Sequence, residues 1–97
     1  MPLYITLMKL TEQGVKTIKD APKRIESGIK YLEKLGGKLI AFYVTLGEYD
    51  YIGIAEAPND EVVMRFLLGL GMAGNVRTTT LKAYSKEQMA EIIKKLP

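Results

Sequence analysis

The most informative stretch of the chain is LIAFYVTLGEYDYIGIAEAPND, at residues 39–60. Two runs rich in β-branched and aromatic residues, 39–46 and 49–57, flank the Gly47–Glu48 pair. Such runs favour strands, and a glycine at the first loop position suits a tight hairpin turn. The Pro58–Asp60 segment then ends the second strand and begins a helix. The stretch therefore predicts a β-hairpin followed by a helix.

The patterns on either side extend this prediction to the whole chain. A strand is predicted at residues 1–8, and a Thr-rich strand at residues 76–84. A helix between Pro22 and Leu35 separates the first strand from the hairpin, and a short amphipathic helix follows Ser85. The predicted order is βαββαβ with a final helix.

This order predicts an α+β fold in a single domain, residues 1–97. A ferredoxin-like antiparallel sheet with two helices on one face satisfies the order with right-handed crossovers. Because the helices cover only one face of such a sheet, the alternation of side chains along the strands indicates what the other face presents.

The alternation divides the strand residues into two sets. The more hydrophobic set is expected to face the helices: Leu3, Ile5, Leu7, Ile40, Phe42, Val44, Ile52 and Ile54. The other set is expected on the open face: Tyr4, Thr6, Ala41, Tyr43, Thr45, Tyr51, Gly53, Ala55, Thr78 and Thr80. The predicted open face therefore carries tyrosine, threonine and small residues, and no charge.

The hairpin leaves one conflict in register. A strict two-residue turn at Gly47–Glu48 would place Val44 and Tyr51 on the same face. The hydrophobic pattern instead favours Val44 beside Ile52, which requires one extra residue. We therefore predict a β-bulge near Tyr49–Asp50.

An open face rich in tyrosine suits a second protein surface, because a tyrosine ring packs while its hydroxyl finds a partner. We expect a homodimer, with the same face used by both copies. Small residues within that face leave room for a small-molecule cavity between the paired sheets. The candidate ligand-binding residues are Tyr4, Thr6, Tyr43, Tyr51, Asp50 and Arg77.

The composition excludes several classes of chemistry. The chain has no cysteine and no histidine, so it has no disulfide, no thiolate nucleophile, no imidazole base and no zinc site of the Cys-rich or His-rich kinds. We expect neither a metal nor a cofactor. No apolar run reaches the roughly 18 residues of a membrane span, and no signal-peptide pattern is present. A cytoplasmic protein without a membrane partner is therefore expected.

Two further motifs resemble nucleotide-binding or RNA-binding sequences. Gly69–Gly74 fits G-x-G-x-x-G, but these glycines end a helix, whereas a dinucleotide site needs them between a strand and a helix. An RNA-recognition module shares the βαββαβ order, but the third strand lacks its signature. The 14 Lys and Arg residues are dispersed along the chain. No nucleic-acid partner is therefore expected.

The carboxylates of the third predicted strand do not form a pair. Asp50 and Glu56 point the same way but lie about 20 Å apart at roughly 3.3 Å per residue. They therefore cannot share a proton or a metal. Acid–base chemistry in this chain would have to come from a buried tyrosine, or from Asp50 with a raised pKa.

The string Gly47, Glu48, Tyr49, Asp50, followed by Glu56, resembles the GYD-domain family, small bacterial and archaeal proteins named for the Gly, Tyr and Asp. Other matching positions are Thr11, Gly14, Pro22, Arg24, Gly36, Gly37, Ala57, Pro58, Gly74, Asn75, Val76, Arg77, Thr78, Thr80, Leu81, Lys82 and Ala83. The resemblance spans roughly residues 1 to 84, and the helix after Ser85 is expected to lie outside it.

The resemblance implies kinship with dimeric ferredoxin-like proteins, which pair their sheets into a barrel, and therefore an assembly of the dimeric α/β-barrel type. Some of those proteins are monooxygenases, some degrade small molecules and some bind effectors. The family has no assigned function, and a shared fold does not carry chemistry. The resemblance draws attention to Tyr49, Asp50, Glu56 and Arg77 without assigning them a role.

The sequence leaves three functions open. The first is a small-ligand-binding or effector-type module that uses the open sheet face. The second is a cofactor-free enzyme that acts on a small organic substrate through a tyrosine or Asp50. The third is a structural protein whose open face serves only assembly, and the apolar side of the final helix offers a surface for higher association.

Overall fold

The computed structural model describes the whole chain, residues 1–97. The strands are β1 (Leu3–Leu10), β2 (Lys38–Val44), β3 (Tyr51–Glu56) and β4 (Val76–Ala83). The helices are α1 (Glu12–Lys16), α2 (Ala21–Lys34), α3 (Asp60–Ala73) and α4 (Lys86–Ile93), with a 3-10 turn at Ile18–Asp20. The first crossover therefore consists of α1, the turn and α2.

All neighbouring strands pair antiparallel, in the order β2-β3-β1-β4. Helices α2 and α3 lie on the same face of this sheet, α2 packing against β2 and α3 against β4. The predicted α+β class with an antiparallel four-stranded sheet is confirmed, and the strand order is compatible with the ferredoxin-like arrangement.

Polar side chains cap helices α3 and α4 at the positions that the sequence predicts. Asn59 accepts a hydrogen bond from the Val62 N–H at the start of α3. Ser85 and Gln88 form a reciprocal capping box at the start of α4. At the other end of α3, Gly74 adopts a left-handed conformation with φ of 81°, so the glycine-rich motif ends this helix as predicted.

The two faces of the sheet are the reverse of the prediction for β1 and β3. Tyr4 and Thr6 of β1 and Tyr51 of β3 are buried on the helix side, at 5 %, 9 % and 7 % exposure. Tyr4 packs there with Val62 and Val63 of α3. The pairing register places these residues opposite to the predicted face: Tyr4, Thr6, Tyr51, Gly53, Ala55, Thr78 and Thr80 all share the helix side.

The residues that the prediction placed under the helices therefore lie on the open face in β1 and β3. They are Leu3, Ile5, Leu7, Ile52 and Ile54. Ala41 and Tyr43 do lie on the open face as predicted, and Phe42 does lie on the helix side. Alternation identifies residues that share a face but does not identify the face that the helices cover.

The hairpin keeps the register that the turn favours, not the one that the hydrophobic pattern favours. Val44 pairs with Tyr51, and the Thr45 N–H donates to the Asp50 carbonyl at 2.8 Å. The predicted bulge near Tyr49–Asp50 is wrong. The irregularity lies instead in β2, at Ile40.

Helix α4 extends away from the rest of the molecule. None of its residues is buried, and it makes no substantial packing with any other element. The longest dimension of the chain is 53 Å, and its radius of gyration is 14.9 Å, against about 12.5 Å for a compact chain of this length. The chain is therefore more extended than a closed domain of its size.

Candidate functional site

A cavity of about 460 Å³ lies between the sheet and the helices α2 and α3. Its floor comes from β1, β2, β3 and the start of β4: Thr6, Met8, Leu10, Leu39, Phe42, Tyr51, Gly53, Ala55 and Val76. Its roof comes from the facing sides of the two helices: Ala21, Ile25, Gly28, Ile29, Tyr31, Leu32, Phe66, Gly69, Leu70 and Ala73. The lining is therefore almost entirely apolar.

Small residues create much of this space. A Cβ atom added at Gly28 would have as its nearest neighbour Leu70 Cδ2, at 3.9 Å, and one at Gly53 would lie 3.6 Å from Met8 Cε. Both are ordinary van der Waals distances, so the volume beside these glycines is unfilled. Gly69 differs, because its Cβ position lies 2.7 Å from the Tyr31 ring. Gly69 allows the two helices to approach, whereas Gly28 and Gly53 leave room inside.

The cavity contains few polar groups. The Thr6 hydroxyl is hydrogen-bonded to the Thr80 hydroxyl at 3.0 Å. Tyr51, whose ring packs 5.3 Å from that of Phe42, donates no hydrogen bond to another residue and remains accessible although the residue is 7 % exposed. Ser27, which is exposed on α2, also lines the space without a bonded hydroxyl. Among the buried residues of the lining, Tyr51 is therefore the one whose hydroxyl is free.

Charged residues stand only at the mouth of the cavity, near the start of α2. They are Asp20, Lys23 and Arg24. The Arg24 guanidinium is already bound, since it donates to the Thr17 carbonyl at 2.8 Å and to the Gly14 carbonyl at 3.2 Å. These bonds fix α1 against α2, and Lys23 remains at the mouth as a cation without a bonded partner.

A polar cluster lies outside the cavity, at the start of α3. The Tyr4 hydroxyl donates to Asp60, and Lys82 Nζ lies 3.0 Å from the same carboxylate oxygen. Burial, together with the hydrogen bond to Asp60, raises the pKa of Tyr4. The hydrogen bonds from Tyr4 and Lys82 lower the pKa of Asp60. Tyr4 is therefore held protonated, which suits a structural link between β1 and α3 rather than a general base.

The end of the β2–β3 hairpin is attached to β1 through Asp50. The Asp50 carboxylate accepts the Leu10 N–H at 2.8 Å, and the Asp50 N–H donates to the Met8 carbonyl at 2.8 Å. Thr45 Oγ1 donates to the Tyr49 carbonyl at 2.6 Å. These bonds occupy Asp50 in fixing the hairpin, and Asp50 does not line the cavity.

The open face of the sheet is apolar along most of its length and charged near the ends of the strands. The central residues are Leu3, Ile5, Leu7, Ala41, Tyr43, Ile52, Ile54, Leu81 and Ala83. The charged residues are Lys9, Lys38, Glu56 and Arg77. No helix of the chain covers this surface.

The family model for the GYD domain matches residues 4–93. The chain belongs to the GYD-domain family. The match extends through α4, so the expectation that the final helix lies outside the family resemblance is wrong. A curated relative from Thermus thermophilus, named a glutamine synthetase and cystathionine beta-lyase binding protein, is 38 % identical over 84 residues, which cover 86 % of this chain and 88 % of the relative.

The solved structure of TTHA0845, also from Thermus thermophilus, supports the same fold. It superposes with a TM-score of 0.51 at 21 % identity, covering 88 % of this chain and 95 % of the other. At this level of identity the likeness concerns the fold alone.

The Gly, Tyr and Asp after which the GYD family is named have a structural role in this chain. Gly47 has a positive φ of 108°, which an L side chain rarely adopts. Tyr49 supplies a backbone carbonyl to Thr45, and Asp50 supplies its carboxylate to β1. The three residues shape and fix one hairpin.

The candidate ligand-binding residues do not converge on one site. Thr6 and Tyr51 line the cavity. Tyr43 is 59 % exposed on the open face, and Arg77 is exposed with its guanidinium on the neighbouring Val76 carbonyl. Glu56, from the family motif, lies 4.0 Å from the N-terminal ammonium.

Sequence reasoning missed the helix-side residues of the cavity. A signal was present, since Gly28 and Ala73 occur among the apolar positions of their helices, where larger side chains would normally pack. The structure gathers no group of three acidic, histidine or cysteine side chains that could hold a metal. No helix is both long and apolar enough to cross a membrane.

Proposed function

We propose that this GYD protein is a homodimeric binding module of the effector type. Two copies pair through the open sheet face, and each copy holds a small molecule in the cavity between its helices and its sheet. The name of the relative, a binding protein for two enzymes, supports a role in binding, and a partner enzyme is the kind of protein on which such a module would act.

The apolar open face is the observation that carries the pairing. Residues such as Ile5, Ile52 and Leu81 form its centre. A compact protein of 10.8 kDa exposes about 5,500 Å², whereas this chain exposes 6880 Å². The excess of about 1,300 Å² per chain exceeds the roughly 800 Å² that each partner buries in a standard interface. The single chain therefore has surface to bury on pairing.

Helix α4 adds a second surface for the pairing. Its Met89, Ile92 and Ile93 are each about half exposed and lie on one side of the helix. A helix of eight residues is too short to be stable in water without packing. Because α4 directly follows the edge strand β4, we propose that it packs on the second copy, beside the paired sheets.

The cavity supports the binding of a small molecule. Its volume of about 460 Å³ lies within the range of small-molecule sites. The space opens to solvent at its mouth, so an apolar occupant would gain by removing its own surface and the apolar lining from water. Since α2 and α3 form both the roof and the outer surface, an occupant that sets their spacing alters the surface presented to a partner protein.

A catalytic role is not proposed. Of the groups from which the sequence would draw acid–base chemistry, two are already committed: Asp50 accepts the Leu10 N–H, and Tyr4 donates to Asp60. Both residues therefore serve the fold.

The pairing is tested by the mass of the native protein in sedimentation and native mass spectrometry. We expect two chains for the wild type and one chain for Ile5→Glu, which places a carboxylate at the centre of the open face. Met64→Glu is the matched control, because Met64 is apolar and 56 % exposed on α3 but lies away from the sheet. A monomeric wild type, or a dimer that survives Ile5→Glu, would overturn the pairing.

A further inference from the structure

We infer that the cavity between the helices and the sheet takes an uncharged, largely apolar molecule that carries one hydrogen-bonding group, which meets the Tyr51 hydroxyl. This inference rests on the proposed small-molecule binding and specifies its ligand. It also moves the ligand site from the open face of the sheet to the opposite, helix-covered face.

The charge of the lining carries the first step. The floor and the roof contain no charged side chain, and the charged residues stand at the mouth. Among them, Arg24 is bound to backbone carbonyls of Thr17 and Gly14, while Lys23 and Asp20 bring opposite charges to the mouth. A charged ligand would lose its hydration inside without gaining a partner. The site therefore favours an uncharged molecule.

The shape of the space carries the second step. The unfilled volume extends from Gly28 on α2 to Gly53 on β3, where added Cβ atoms would meet only side-chain atoms at 3.6 Å or more. Aromatic and branched side chains such as Phe42, Phe66 and Ile29 surround it. A rigid, flat or slender apolar body would fill this space and gain the dispersion contacts that the void lacks.

The hydroxyl groups carry the third step. Three buried residues of the helix-side face have hydroxyls: Tyr4, Thr6 and Tyr51. Tyr4 is bonded to Asp60 and Thr6 to Thr80. Tyr51 alone lacks a partner in the chain while remaining accessible. Because this accessible hydroxyl belongs to a buried residue that lines the cavity, we assign the ligand's polar group to Tyr51.

The charge preference is tested with a pair of fluorescent probes that differ by one sulfonate. They are N-phenyl-1-naphthylamine, which is neutral, and 8-anilinonaphthalene-1-sulfonate. We expect the neutral probe to bind more tightly by about tenfold or more, because the sulfonate finds no cation inside. Equal or tighter binding of the sulfonate probe at the same site would overturn the inferred ligand class while leaving the proposed small-molecule binding intact.

The location is tested by filling the cavity. Gly28→Leu should weaken binding of the neutral probe by about tenfold or more, because the new side chain occupies the space. Gly71→Leu is the matched control: it places the same residue on α3, where a Cβ meets nothing within 4 Å, and it should leave binding unchanged. Gly53→Val fills the cavity from the sheet and provides a second test if Gly28→Leu does not fold by circular dichroism.

The polar contact is tested by competition between 2-acetylnaphthalene and 2-ethylnaphthalene, which differ in one carbonyl oxygen. The ketone should displace the neutral probe about fivefold more effectively, as one hydrogen bond allows, and Tyr51→Phe should remove that advantage. An unchanged advantage would overturn the assignment to Tyr51. If no probe binds, or if binding ignores Gly28→Leu, the ligand inference and the proposed cavity binding fail together. Sedimentation of the same samples then reports separately whether the proposed pairing stands.

Discussion

Replacement of Asp50 by alanine tests whether the aspartate of the GYD motif is structural. In the structure its carboxylate accepts the Leu10 N–H at 2.8 Å, and the residue is only partly exposed. Asp50→Ala removes this acceptor and leaves a backbone donor at the end of β1 without a partner. Such a loss costs about 1–3 kcal/mol.

The expected loss is measurable by thermal unfolding. For a domain of 60–100 residues, 1 kcal/mol corresponds to about 4–8 °C, so a loss near 2 kcal/mol lowers Tm by about 8–16 °C. Circular dichroism at one fixed protein concentration measures it, because the proposed pairing would make Tm depend on concentration. Asp50→Asn keeps an oxygen that can accept the same bond and should lose less than half as much.

A second control separates this bond from the general charge of the hairpin. Glu48 pairs with Lys9 at 3.7 Å, and both side chains are exposed. Such pairs contribute little, so Glu48→Ala should leave Tm within about 2–3 °C of the wild type. The reasoning is refuted if Asp50→Ala leaves Tm unchanged and abolishes binding of the neutral naphthylamine probe. That result would make Asp50 a binding residue.

The remaining predictions concern two glycines, one carboxylate and the final helix. Gly14→Ala should lower Tm strongly, because its Cβ would overlap the Asn75 carbonyl oxygen, whereas Gly28→Ala should raise Tm through helix propensity worth about 0.8–1.0 kcal/mol. The folded-state pKa of Asp60 is lowered, so its stabilisation is present above its ordinary pKa of 3.8 and is lost as pH falls through the folded-state value. Asp60→Asn should therefore flatten the fall in Tm toward acid pH. The double change Met89→Ser and Ile92→Ser should weaken the dimer by about tenfold or more in sedimentation equilibrium, because it removes apolar area from α4.

Each of these predictions has an opposite outcome. A dimer equally weakened by Glu87→Ser with Glu91→Ser, on the polar side of α4, would show that helix propensity and not packing is responsible. If Tm falls equally with pH in the wild type and in Asp60→Asn throughout the acid range, the Asp60 carboxylate does not contribute to the loss of stability in acid. A Gly14→Ala protein as stable as the wild type would mean that the contact with Asn75 relaxes freely. A Gly28→Ala protein with a lowered Tm would mean that the space beside α2 is smaller than the structure shows.

Much of the architecture follows from local sequence signals. The caps at Asn59 and Ser85 and the left-handed Gly74 mark helix ends that side-chain chemistry determines. These signals act within a few residues, so they can be read without knowledge of the rest of the fold. The strand order then follows from short antiparallel connections and right-handed crossovers.

The assignment of the faces could not be read in the same way. Along β1, both alternating sets are able to pack, since Leu3, Ile5 and Leu7 are aliphatic while Tyr4 and Thr6 bury rings and paired hydroxyls. Hydrophobicity ranks the aliphatic set as the core, which is correct only where one face meets water. Where both faces of a sheet can pack against another surface, the hydrophobicity of the two sets does not tell which face the helices of the same chain cover.

The cavity depends on a distance that no local pattern encodes. Gly28, Gly53 and Ala73 come from three different elements, and their small size produces space only at the spacing that α2 and α3 adopt above the sheet. Tyr31 and Phe66, with rings 5.7 Å apart, contribute to this spacing where the helices meet. Such a volume emerges from tertiary packing, so the sequence did not indicate it, and the cavity expected between two paired sheets stays a prediction.

Because the faces of β1 are reversed, the proposed pairing would make the exposure of this strand depend on protein concentration. Tyr4 and Thr6 are sheltered by the chain's own helices, whereas Leu3, Ile5 and Leu7 depend on the proposed second copy for shelter. Under the proposed pairing, scarce protein would consist mostly of single chains that present an aliphatic strand to proteases and to aggregation. Abundant protein would shelter that strand by mass action. The proposed pairing thus makes the lifetime of each chain depend on the concentration of the protein.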